Sequence, residues 1–257
     1  MKEFSELTIK LTDHVALIEI NRPPNNFFDY ILIGQIADAL TDLDKIDECR
    51  AIILCSAGKH FCAGANFVGE SSLQDDIDPI SKLYEEAVRL FKNKKPVIAA
   101  VQGGAIGGGL GVSLVADFRI ACNESRFSAN FSKLGFHQGF GTTVTLPRVV
   151  GAQNAAYMLL TGKRFNGEEA LKMGLVDFLV PQKDLRNKAL ELAQEIASSG
   201  PLAVEAIRST IRDGLAEEVE KVISWELAEQ KRLQGTKDFK EGIKASSERR
   251  EPVFKKE

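Results

Sequence analysis

With 257 residues, 44% of them hydrophobic and 27% charged, the chain is long enough to bury a substantial core, and one main domain with an appendage is the natural expectation. A formal net charge of −3, with Lys and Arg interleaved among Asp and Glu, argues against a nucleic-acid groove while leaving room for a local phosphate pocket. Cys49, Cys55, Cys62 and Cys122 form no CxxC pair, His14, His60 and His137 are scattered, and no apolar run reaches the length of a membrane span. These features predict a soluble, cytoplasmic protein with free thiols, no metal, no nucleic acid and no membrane partner.

The runs Leu7 to Leu11 and Val15 to Ile20 flank the turn signal Thr12-Asp13-His14 and predict an N-terminal hairpin. After the break Arg22-Pro23-Pro24-Asn25-Asn26, the residues Ile31, Leu32, Ile36, Ala39, Leu40 and Leu43 recur at helical spacing and lead into an apolar strand at Ala51 to Leu54. A loop rich in Gly and Ala covers Ser56 to Gly69. A second helix then carries Ile80, Leu83, Tyr84, Ala87, Val88 and Phe91 in phase and ends before Pro96.

Next come the strand Val97 to Val101, the turn Gly103 to Gly109, a short small-residue helix through Ala116, and two strands at Phe118 to Ala121 and Arg126 to Ala129. Beyond Pro147 the chain reads almost wholly helical, with Asn166 and Glu169 spaced as a cap and its reciprocal partner. Strands alternating with helices, followed by helices alone, predict an α/β core over residues 1–197 and a helical C-terminal region over 198–257.

Two glycine-rich turns follow apolar strands, Phe61-Cys62-Ala63-Gly64-Ala65-Asn66 and Gly104 to Gly109, and each can bring bare backbone N–H groups to a ligand. The second also opens a helix, where a developing anion is favoured, so the pair suits an oxyanion hole. Tight strand-to-helix packing explains either turn alone equally well. A dinucleotide loop does not fit, because neither turn spells G-x-G-x-x-G and no Walker lysine follows.

The stretches NRPPNN (21–26), HFCAGANF (60–67), KKPVIAAVQGGAIGGGLG (94–111), DFRIA (117–121), LPRVVG (146–151) and LTGKRFNGEEALKMGLVD (160–177) resemble the enoyl-CoA hydratase/isomerase, or crotonase, superfamily over nearly the whole chain. The resemblance implies a crotonase-like α/β spiral of repeated ββα units, a helical C-terminal trimerisation region, a homotrimer or homohexamer, and a role in fatty acid metabolism. It implies an acyl-CoA or acyl-carrier thioester as partner, with no cofactor beyond the coenzyme A of the substrate. By this matching the adenine lies near Cys62, Ala63 and Gly64, and the N–H groups of Ala65 and Gly108 hold the thioester oxygen. Lys59, Lys240, Lys244 and Arg249 are candidates for the CoA phosphates.

The sequence departs from the family where hydratases carry two glutamates. Those positions match Gly111 and Phe131, and the aspartate of the dienoyl isomerases matches Gly139. Hydration needs a positioned acid and base, so ordinary hydratase activity is expected to be weak. The segment 129–141 is similar to decarboxylating members, whose product enolate needs only oxyanion stabilisation and a later proton donor. Phe131 then shapes the acyl pocket and His137 is the candidate acid, with backbone bonding of its ring as the structural alternative. A non-catalytic acyl-CoA-binding protein and a weak hydratase or isomerase remain the other readings. Cys62 lacks a matched base and reads as a small hydrophobe, Asp117 as an internal hydrogen-bonding or ion-pairing residue, and His60 as solvent-facing.

Overall fold

The computed structural model describes residues 2–65 and 78–257. Strands β1 (Leu7–Thr12) and β2 (Val15–Ile20) form the expected hairpin, with Thr12 opposite Val15. Its tight turn is made by Asp13 and His14, both at positive φ, the geometry whose twist matches that of paired strands. Helix α1 (Tyr30–Asp44) is capped by Asp29, whose carboxylate accepts the Leu32 N–H at 2.9 Å. Its buried stripe contains the residues read from the sequence except Ile31, which is exposed, because the stripe turns toward Ile33 and Ala37 instead.

Strand β3 (Ala51–Ser56) is followed by α2 (Pro79–Leu90), β4 (Val97–Val101), β5 (Gly104–Ile106), α3 (Gly108–Leu114), β6 (Phe118–Ala121) and β7 (Arg126–Ser128). The chain continues through α4 (Thr142–Thr161), β8 (Phe165–Asn166), α5 (Gly167–Lys172), β9 (Phe178–Leu179) and α6 (Leu185–Ala197). It ends in α7 (Pro201–Ile211), α8 (Leu215–Gln234) and α9 (Lys237–Glu248).

Two sheets result. The larger has the order β1-β2-β3-β4-β6-β9 and is parallel from β2 onward; the smaller has the order β5-β7-β8. Strands β4 and β6 of the large sheet each run directly into β5 and β7 of the small one, so the chain coils as a spiral that adds one strand to each sheet per turn. Every residue of β3 and β4 is buried, because both faces of the large sheet are covered. Ile52, Leu54, Val97 and Ala99 face α1 and α2 in the main core. Ile53, Cys55, Ile98 and Ala100 meet Leu185, Ala189, Ala193 and Ala197 of α6, a stripe at four-residue spacing whose small side chains let the helix lie close to the sheet.

The C-terminal half is less purely helical than its sequence reads. Helix α4 already begins at Thr142, with Pro147 inside it, and β8 and β9 intervene before α6. Each of these strands is two residues long, too short to leave an alternating pattern. Phe165 pairs with Phe127 and Phe178 with Ile120, so tertiary pairing sets them. The capping box that opens α5 is formed as read: Asn166 accepts the Glu169 N–H at 2.9 Å and Glu169 accepts the Asn166 N–H at 2.8 Å.

Helices α7 and α8 are fastened to the spiral by buried polar contacts. Arg208 donates to the Asn93 carbonyl at 2.6 Å and to Asp117 at 2.8 Å, and Tyr84 donates to Gln230 Oε1 at 2.5 Å. Asp117 also accepts the Val97 N–H at 2.8 Å and pairs with Arg212 at 3.1 Å, the internal role expected of it.

Candidate active site

The two glycine-rich turns are stitched side by side. The Cys62 N–H donates to the Gly104 carbonyl at 2.9 Å and the Ile106 N–H to the Cys62 carbonyl at 3.1 Å, which extends the small sheet by one short rung. Only glycine suits two places along this seam. Gly64 has φ +99 and a Cβ there would stand 2.9 Å from the Ile106 carbonyl oxygen; Gly107, at φ +56, turns the chain into α3. Among the described residues, the N–H groups of Ala65 and Gly108 enter no backbone hydrogen bond, and both residues line the same cavity. Gly108 also opens α3, so its N–H carries the positive end of that helix.

The cavity holds about 260 Å³ and lies between the spiral and the last two helices. Ala63, Gly64, Ala65, Gly108, Phe131 and Gly139 line it, whereas Cys62 and His137 do not. Its wall crosses the boundary at residue 197, since Gln230 and Gln234 of α8 and Ile243, Ser246 and Ser247 of α9 contribute. Phenylalanines dominate the rest: Phe27, Phe28, Phe131, Phe136 and Phe140. The rings of Phe28 and Phe140 meet tilted at 5.5 Å between centroids, a pairing worth about 0.5–1.5 kcal/mol beyond its buried area.

His137 is turned to the backbone. Its Nδ1 donates to the Gln138 carbonyl at 2.8 Å, and its own carbonyl accepts from Gln230 Nε2 at 3.0 Å. This matches the structural alternative, and we assign no proton transfer to it. Cys62 is fully enclosed and burial pushes its thiol up to about 12, which leaves it a small hydrophobe at ordinary pH. Lys59, Lys240, Lys244 and Arg249 are exposed and none lines the cavity. Asn66, which follows Ala65, lies outside the described residues. Among the described residues no cluster of His, Cys, Asp or Glu could hold a metal ion, and no helix is long and apolar enough to cross a membrane.

His60 is not a solvent-facing residue. It is half-buried, and its Nδ1 accepts the Gly104 N–H at 2.9 Å, so the ring fixes the start of the second turn. Burial, then the charges of Lys59 and Arg164, hold its pKa below the ordinary value. The unfolded chain therefore binds the proton more readily, and the contribution of His60 to stability, present above about pH 6.5, is lost as pH falls through the lowered folded value. The expected result is that unfolding midpoints in urea decline below that pH in the wild type and decline less in His60→Asn, whose amide oxygen replaces Nδ1 as acceptor. Identical pH profiles would show that His60 does not set the decline.

Sequence reasoning missed Tyr84, Gln230 and Glu226. Tyr84 was visible only as one more member of the apolar phase of α2. Glu226 is fully buried and its carboxylate accepts the Gly141 N–H at 2.8 Å, the Thr143 N–H at 3.0 Å and the Thr143 hydroxyl at 2.6 Å. It thereby ties the loop behind the cavity to α8.

The enoyl-CoA hydratase/isomerase family model matches residues 10–257. The chain belongs to the enoyl-CoA hydratase/isomerase family. Within this family it is 31% identical over 255 residues to the crotonyl-CoA hydratase of Syntrophomonas wolfei, covering 98% of each chain. It is 33% identical over 253 residues to the (E)-benzylidenesuccinyl-CoA hydratase of Thauera aromatica, covering 97% of this chain and 98% of that one. The fold likewise resembles an enoyl-CoA hydratase/isomerase from Pseudoalteromonas atlantica, with a TM-score of 0.87 at 28% identity over 98% of this chain and 100% of the other. The α/β spiral with its helical C-terminal region is thus the crotonase fold.

Of the three positions that sequence matching paired with family carboxylates, Gly111 and Gly139 are closed off by neighbours. A Cβ on Gly111 would stand 2.7 Å from Phe140 Cδ1 and 2.8 Å from Phe140 Cβ, and one on Gly139 would stand 2.0 Å from the Tyr84 hydroxyl oxygen. Phe131 is itself part of the cavity wall. Among the described lining residues there is no Asp, Glu, His, Lys, Arg or Cys.

Proposed function

We propose that this protein binds an acyl-CoA or acyl-carrier thioester with its carbonyl oxygen on the N–H groups of Ala65 and Gly108, and that its reaction is loss of CO2 from an α-carboxylated (malonyl-type) or vinylogous acyl group. The observation that carries this reading is a cavity with two backbone donors that enter no backbone hydrogen bond among the described residues, and no carboxylate among its described walls. As the bond from the carboxylate carbon to the α-carbon breaks, or to the γ-carbon in a vinylogous acyl group, CO2 leaves and the electron pair moves onto the thioester oxygen as an enolate or dienolate. Each well-placed donor to such an oxyanion is worth about 10²–10³ in rate. No base is required, and coenzyme A enters only as part of the substrate. The apolar wall around Phe131 and Phe140 solvates a substrate carboxylate poorly, which favours its departure.

Hydration is the second reading, and the relatives named as hydratases support it. Activating water needs a positioned base, worth about 10²–10⁴ in rate. We therefore expect mass spectrometry to show CO2 loss from methylmalonyl-CoA or 3-methylglutaconyl-CoA and little hydration of crotonyl-CoA. Brisk hydration of crotonyl-CoA with no CO2 release would replace the first reading with the second. Gly111→Glu alone is expected to gain no hydratase activity, because Phe140 fills the space that its side chain needs.

The exposed apolar side chains Leu202, Ile207, Ile211 and Trp225 on α7 and α8 support assembly into a trimer or hexamer through the C-terminal helices.

A further inference from the structure

We propose that Tyr84 is the catalytic acid that returns a proton to the α-carbon of the enolate. The inference rests on the thioester-enolate reading of the cavity but not on how the enolate arises. Tyr84 carries the one strongly polar O–H group among the described lining residues outside the two serines of α9, and it is the only lining residue there with a titratable ring. No other side chain on those described walls is an acid of a phenol's strength or stronger.

Its surroundings hold it for that task. The hydroxyl sits where a side chain on residue 139 would begin, 2.0 Å from the Cβ position, so the absence of a side chain at Gly139 is what admits it. The place matched to the isomerase aspartate is therefore filled by a hydroxyl reaching in from α2. The O–H donates to Gln230 Oε1 at 2.5 Å, and Gln230 is oriented in turn by its Nε2 donating to the His137 carbonyl at 3.0 Å. Burial and the nearby Glu226 carboxylate push the phenol above its ordinary pKa, so it rests as the proton-bearing acid and not as phenolate.

In the step itself, the Tyr84 O–H bond breaks as the enolate electron pair forms a new bond from the α-carbon to that proton. The thioester C=O re-forms, the phenoxide oxygen keeps the O–H electron pair, and water reprotonates it. The reverse of this step exchanges the α-hydrogens of a saturated thioester with solvent.

The test is α-hydrogen exchange of butyryl-CoA in D2O, followed by NMR, in the full-length wild type and Tyr84→Phe, with Kd for butyryl-CoA measured by calorimetry. We expect wild-type exchange that rises with pH, and a loss of about a hundredfold or more in Tyr84→Phe at unchanged Kd. A purely structural role would move Kd or folding and leave the exchange per bound thioester alone. Exchange at the wild-type rate in Tyr84→Phe overturns the proposal, as does a wild type that binds butyryl-CoA without exchanging it. A wild type that does not bind butyryl-CoA overturns the thioester reading and this proposal together. Intact exchange without CO2 release from either carboxylated thioester supports Tyr84 and removes only the decarboxylation reading.

Discussion

Replacing Gly109 with alanine is expected to cost about 3 kcal/mol or more of stability and to lower turnover at least a hundredfold in whatever folded protein remains. Gly109 lies in the first turn of α3, and a Cβ there would stand 2.1 Å from the Cys62 carbonyl oxygen and 2.8 Å from its carbon. Both are backbone atoms, so no side chain can swing aside. Cys62 must move, and with it the hydrogen bonds to Gly104 and Ile106 that join the two turns. The Ala65 and Gly108 donors sit on opposite sides of that seam, and their relative placement is what an oxyanion would feel. Urea unfolding and steady-state kinetics measure the two effects. Gly34→Ala is the control: the nearest atoms to its Cβ would be those of the Glu86 side chain, from 3.4 Å, an ordinary contact, and alanine favours the α1 helix by about 0.5–1 kcal/mol. A Gly109→Ala protein that unfolds like the wild type would refute the close approach.

Asp117→Ala is expected to destabilise the chain by about 3–5 kcal/mol. The Asp117 carboxylate joins the spiral to α7. It receives Arg208 Nε at 2.8 Å, Arg212 at 3.1 Å and the Val97 N–H at 2.8 Å. Arg208 is buried, and two further nitrogens of Arg212, Nε and Nη2, are buried without a partner among the described residues. Burial first, then the neighbouring Arg208 charge, pull Arg212 down to about 10, so this corner already holds positive charge at a cost. Removing the carboxylate leaves two guanidinium groups facing one another with no counter-charge. Adding Arg212→Met to Asp117→Ala should recover part of the loss, and a double-mutant cycle in urea measures that coupling. A loss below about 1 kcal/mol in Asp117→Ala would mean that the cluster is solvated and not structural.

Long elements with a strong period were legible from the residues alone. The hairpin at Leu7 to Ile20, the α1 stripe and the buried runs of β3 and β4 each follow from local spacing, because a helix or strand several turns long must repeat its buried positions. The capping box at Asn166 and Glu169 was equally local. Strands β8 and β9 were not legible, since two residues carry no period and their partners lie far away in the chain. His60 read as a surface residue because nothing adjacent in sequence reveals the Gly104 N–H that it accepts.

By itself the sequence determined the α/β succession, the two glycine-rich turns after apolar strands, and membership of the enoyl-CoA hydratase/isomerase family, all of which depend on residue type and order. Tertiary structure alone decided which side chains share the cavity. Tyr84 and Gln230 are 146 residues apart and meet only when α8 folds back over α2, and Phe140 closes the space beside Gly111 from a loop whose Gly141 N–H is held by Glu226. Contacts across such separations depend on how whole helices pack, and no local spacing encodes that.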